Sequence, residues 1–181
     1  WGRDTFIAAR GLLAAGWSEE VFGIVKAFAR FEDRGSLPNV LNGDNASNRD
    51  TSDAPLWFGK VCAELAGSAR EDLFSERMAD GRTLREILIS IGHGYRDGTP
   101  QGIRMDSASG LIWSPSHFTW MDTNYPAGTP REGYPVEIQA LWIQLLGLLG
   151  RLDSEGGWGD LELRARESLR DYFCRTPSGW I

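Results

Sequence analysis

The run "SPSHFTWMDTNYPAGTPREGYPVEIQALW", from Ser114 to Trp142, sets two carboxylates, Asp122 and Glu137, among tryptophans, prolines and Arg131. Ordering a loop this dense in rings and charges costs conformational entropy, so the segment is expected to do chemistry or to hold a ligand. Asp122 lies two residues after Trp120, and an acid beside apolar side chains has its charged form disfavoured by desolvation. Such an acid can give up a proton near neutral pH. Upstream, "SDAPLWF" spaces Asp53 and Trp57 by one helical turn, and "WGRD" groups Trp1, Arg3 and Asp4.

Each signal has a plainer reading. Asp122 could cap the turn toward "NYP", Asp53 is a good helix N-cap, and Arg3 with Asp4 could be a surface pair beside a cap. Glu137 suits the positive end of the helix that starts there, and His117 could be a satisfied loop histidine. What the set shares is an acid with a tryptophan close by in every segment. Cleaving a glycosidic bond needs a proton donor, a second carboxylate and polar groups that fix a sugar. Indole rings can stack on the apolar faces of sugar rings, although they also serve as core residues.

Six stretches have the periodicity of helices that could position these groups. They are residues 4–15, with Asp4 as a cap, 18–35, 52–66 with Ser52 or Asp53 as the cap, 81–98, 135–152 and 157–173. A short hairpin is predicted over 103–113. Residues 36–51, rich in Asn, Asp, Gly and Ser, read as a long and therefore functional loop. The polar loops precede the first, third and fifth helices, so helix pairs stacked in register would open them at one end of the fold.

Twenty-five acidic residues against 19 Lys and Arg give a net charge of −6, and no basic run would track a phosphate backbone, so nucleic acid is not an expected partner. Cys62 and Cys174 are far apart and only two histidines exist, so no zinc site is expected and both cysteines read as small core residues. No apolar run has the length of a membrane span, and no charged n-region followed by an apolar h-region stands at the start of these residues. A cytoplasmic protein is the expectation. Trp1 in place of Met indicates that the sequence begins inside a longer or processed product.

"WGRDTFIAARGLL", "LPN", "DTSDAPLWF" and "FTWMDTNYPAGTPREGYPVEIQALW", in this order, resemble the C-terminal amylo-α-1,6-glucosidase domain of glycogen debranching enzymes. The resemblance implies an all-α (α/α)6 toroid of helical hairpins with the active site at one end. It implies hydrolysis of α-1,6-glucosidic branch stubs in a branched α-glucan, with inversion and without metal or organic cofactor. The Asp of "TWMD" becomes Asp122, the general acid. Trp1, Arg3, Asp4, Asp53, Trp57 and Trp120 match positions that line the glucose pocket. Arg131 and Glu137 match positions that bond the sugar or support Asp122, with Glu137 a candidate second carboxylate.

Six helices are half of what the toroid needs, so residues 1–181 would be one partial catalytic domain, inactive alone. Its open side would await the remainder of the ring or a second copy of the chain. An inverting enzyme needs a base roughly 6.5 to 9.5 Å from the acid, and that base is expected beyond Ile181. Other (α/α)6 glycosidases, acting on trehalose, α-1,4-glucans or mannosyl groups, and a non-catalytic carbohydrate-binding module fit the same residues.

Overall fold

Apolar residues at helical spacing close into helices where the sequence places them, and tertiary contacts move their ends. The computed structural model describes residues 1–70, 72–123 and 129–174. Among these are α1 (Gly2–Ala14), α2 (Ser18–Ala29), α3 (Ala54–Ala69), α4 (Leu84–Asp97), α5 (Val136–Leu152) and α6 (Trp158–Leu169). The predicted hairpin is β1 (Arg104–Met105) paired antiparallel with β2 (Ile112–Trp113). The fold is mainly helical, with α1, α3 and α5 side by side in one row. Helix α2 lies on α1 and α3, while α4 and α6 both lie on α5.

Two helix boundaries differ from the sequence expectation for a visible reason. Helix α1 starts at Gly2 and not after Asp4, because the Gly2 N–H donates to the Asn39 carbonyl at 2.6 Å and so needs no side-chain cap. Helix α2 stops at Ala29, ahead of Gly35, where Asp33 and Ser36 exchange backbone hydrogen bonds across a tight turn. Asp53 does occupy the N-cap position of α3, yet its carboxylate caps nothing. The hydroxyl of Thr51 instead accepts from the Ala54 N–H at 3.2 Å. Helix α4 carries a capping box between Thr83 and Glu86.

One continuous core joins the helices and includes Phe6, Phe58, Leu88, Ile91, Trp142 and Leu146. Two polar contacts inside it hold the loops in place. Gln139, fully buried on α5, bonds both backbone groups of Ile112, at 2.7 and 2.9 Å, and so fastens the hairpin. Tyr95 of α4 stacks on Trp142 and donates its hydroxyl to the Ser52 carbonyl at 2.8 Å, which fixes the start of α3. The turn after α2 meets α4 backbone to backbone. A Cβ at Gly35 would lie 2.6 Å from Gly94 Cα, and one at Gly94 would lie 2.5 Å from Gly35 Cα.

Candidate active site

Helices α1, α3 and α5 begin at the same end of the row, and their first turns deliver Arg3, Asp53, Trp57 and Glu137 to one cavity. Trp120 joins them from the loop before α5, and Ile7, Leu141 and Gln144 complete a space of about 480 Å³. That loop is pinned on both sides. Ser114 exchanges backbone hydrogen bonds with Gly133, and the His117 N–H donates to the Pro130 carbonyl at 2.9 Å. The Ser52 N–H donates to the Phe118 carbonyl at 2.7 Å, and the Ser52 and Ser114 hydroxyls bond at 2.8 Å.

Arg3 is the hub. Its Nε donates to Asp53 Oδ2, its Nη2 donates to the Thr119 carbonyl at 2.7 Å, and the same nitrogen lies 3.6 Å from Asp122 Oδ2. Thr51 donates to the other oxygen of Asp53 at 2.8 Å. Burial alone would lower the pKa of Arg3; the bond to Asp53 and the charges of Asp53, Asp122 and Asp4 outweigh it, and the guanidinium is held above its usual range. Burial pushes the Asp53 carboxyl above the ordinary carboxylate range, against the pull of Arg3 and Thr51. The proton of the pair therefore stays on arginine.

Asp122 lines a second cleft, of about 420 Å³, together with Trp1, Asn39, Asn48, Asp50, Ser116, His117, Phe118 and Thr123. Its side chain is 31% exposed and faces a guanidinium; the sequence led us to expect an apolar wall. Arg131 donates to Glu137 Oε2 and stands 5.7 Å from the Trp120 ring centroid. Glu137 Oε1 and Arg131 Nε are buried with no hydrogen-bond partner among the described residues. Asp4 is exposed on the first turn of α1 and lines neither space. The "NYPAG" run, residues 124–128, lies outside the described residues, and with it the turn that Asp122 might have capped.

The structure thus brings together Arg3, Asp53, Trp57, Trp120 and Glu137 in one cavity, and Trp1 and Asp122 in another, with Asp122 3.6 Å from Arg3. Sequence reasoning missed Thr51, Asn39 and the Thr119 carbonyl. The first two stand inside quoted motifs, "DTSD" and "LPN", but a backbone carbonyl leaves no signal in a residue pattern. Among the described residues no three His, Cys, Asp or Glu side chains cluster to hold a metal, and no helix is long and apolar enough to cross a membrane.

Comparison with known proteins agrees with the motifs. The glycogen debranching enzyme of Saccharomyces cerevisiae (strain ATCC 204508 / S288c) is 27% identical over 210 aligned positions, which cover 86% of this chain and 14% of the yeast protein. The chain thus corresponds to a small part of that relative's length. A family model described as amylo-alpha-1,6-glucosidase matches residues 1–176. With nearly the whole sequence inside that match, the chain belongs to the amylo-alpha-1,6-glucosidase family.

Proposed function

We propose that this chain forms part of an (α/α)6 catalytic domain that hydrolyses α-1,6-glucosidic branch points of glycogen or a related α-glucan, with inversion. Asp122 is the general acid. What supports this reading is that its carboxylate lines one cleft and lies 3.6 Å from Arg3, which lines the other and is itself anchored to Asp53. Trp57 and Trp120 give the larger cavity aromatic surface, and Glu137, bonded to Arg131, adds a carboxylate to its wall. The row α1, α3, α5 supplies the inner helices of half a ring, and α2, α4 and α6 the outer ones.

The test is glucose release from a branched α-glucan limit dextrin by the intact protein and by its Asp122→Asn variant. Loss of a general acid lowers the rate by about 10²- to 10⁴-fold, and undiminished release by the variant would remove Asp122 from the role. One observation favours a second reading for residues 1–181 taken alone. Asp53 and Glu137 are each committed to an arginine, so neither is free to activate water. On that reading the isolated chain binds the sugar without cleaving it, and sugar binding without glucose release would be its signature.

A further inference from the structure

The loop that carries Asp122 is tied to the start of α3 by two buried hydroxyls. Ser52 and Ser114 are fully buried, and neither lines the cavity or the cleft. Their hydroxyl oxygens lie 2.8 Å apart, and that of Ser114 also reaches the Pro115 carbonyl at 3.2 Å. Each hydroxyl has one proton to give. Ser114 gives its own to the Pro115 carbonyl and accepts that of Ser52, so both protons are used. The Ser52 backbone is held from two further sides: its N–H donates to the Phe118 carbonyl at 2.7 Å, and its carbonyl accepts from Tyr95 at 2.8 Å. Helix capping does not explain Ser52, because Thr51 supplies the cap of α3. Packing does not explain the pair either, since two apolar side chains of the same shape would be nearly neutral in stability. What a hydroxyl pair adds is a contact of fixed length and direction.

We infer that Ser52 and Ser114 are positioning residues, whose buried hydroxyl bond sets the Asp122-bearing loop at its working distance from Arg3. The inference rests on the reading of Asp122 as the general acid and names what holds that acid in place. Two routes run from adjacent residues at the start of α3 to the same loop. Ser52 grips it at Ser114 and Phe118, while Asp53 holds Arg3, which donates to the Thr119 carbonyl and lies 3.6 Å from Asp122. A general acid must come within about 2.6–3.2 Å of the oxygen it protonates, and a misplacement of about 1 Å can cost about 10²-fold in rate. Loss of the Ser114 hydroxyl leaves the Arg3–Asp53 pair and the Ser114–Gly133 backbone bonds intact. The loop therefore stays folded while the placement of its acid broadens.

The experiment compares two substrates on the intact protein. A sugar leaving from a branched limit dextrin needs a proton from the acid, whereas fluoride leaving from α-D-glucosyl fluoride is a weak base and needs little help. Ser114→Ala lowers kcat on the dextrin by about tenfold, the worth of one well-made hydrogen bond, with KM little changed, and it slows the fluoride reaction much less. A fall in kcat at constant KM marks an interaction used only in the transition state. Ser52→Ala, which cuts the same bond from the other side, gives the same split, and the double variant loses no more than either single one. A purely structural role predicts equal losses on both substrates, in step with a lowered urea midpoint. That result, no loss on either substrate, or additive losses in the double variant would overturn the positioning role while Asp122→Asn still abolishes dextrin hydrolysis. An Asp122→Asn variant with full dextrin activity, or a wild-type protein inert toward the dextrin, would instead overturn the general-acid reading, and the positioning role with it.

Discussion

Two arginine–carboxylate pairs serve the same cavity and are built differently. Arg3 and Asp53 have side chains 12% and 4% exposed, whereas Arg131 and Glu137 are 23% and 31% exposed. Around the first pair the remaining hydrogen-bonding capacity is taken up by protein: Thr51 donates to Asp53, and Arg3 also donates to the Thr119 carbonyl. Around the second, Glu137 Oε1 and Arg131 Nε have no hydrogen-bond partner among the described residues, and Arg131 holds φ at 55°. The inner pair is an anchor between α1, α3 and the acid-bearing loop. The outer pair is more exposed and less completely satisfied, so the same two residue types are held differently according to how far their neighbours bond them.

The comparison predicts effects in a definite order. Arg3→Ala leaves Asp53 buried without its cation, and removing one partner of a buried pair costs about 3 kcal/mol or more. Urea denaturation should show that loss, and a midpoint unchanged from wild type would mean the anchor bears no load. Glu137→Gln should lower stability by less than about 1 kcal/mol, as expected for a partly exposed pair, while weakening sugar binding about tenfold for the lost charge-assisted bond. Calorimetric titration with the branched glucan on the catalytically dead Asp122→Asn background reads the second half. If stability falls as far as in Arg3→Ala, the distinction between the pairs is lost.

The smallest effect is one of pH. Burial raises the Asp53 carboxyl above its unfolded value of 3.8, so the folded chain binds that proton more tightly than the unfolded one. Its contribution to stability is full below the unfolded value and declines as pH rises through the folded one. Carboxylates held low, such as Glu64 beside Arg10 and Asp80 beside Arg82, act in the opposite sense and lose their contribution on acidification. Asp53→Asn deletes only the first kind. Between neutral pH and about pH 4 the variant should lose more stability than the wild type, and parallel pH profiles would show that Asp53 titrates as it does in the unfolded chain.

Much of this could be read from the residues. The apolar stripes of Val21, Val25 and Phe28, and of Leu84, Ile87, Leu88 and Ile91, gave two helices, and turn chemistry gave the short hairpin around residues 106–111. The end of α2 could not be read, because it is set by a backbone contact with α4 that has no counterpart in local pattern. For the site, Arg3, Asp53 and Trp57 were legible as residue types in motifs, but their division of labour was not. Asp53 resembles a cap in sequence because Asp is a favoured N-cap; in three dimensions Thr51 takes the capping bond and frees Asp53 for Arg3. Asn39 could not be read as part of the cleft wall, since lining a cleft is a property of surroundings and not of spacing.

The glycine seam between the turn after α2 and α4 bears on how this fold could be re-engineered. With Gly35 and Gly94 in backbone contact, the segment that follows leaves from a fixed origin. Asn39 then donates its N–H to the Asn48 carbonyl at 2.8 Å, so the stretch between them departs and returns at one closed gate, with its own tight turn at residues 42–45. Residues 40–47 thus form an exchangeable cassette beside the cleft. A transplanted loop of different length could reshape the mouth of that cleft while the helices beneath keep their register.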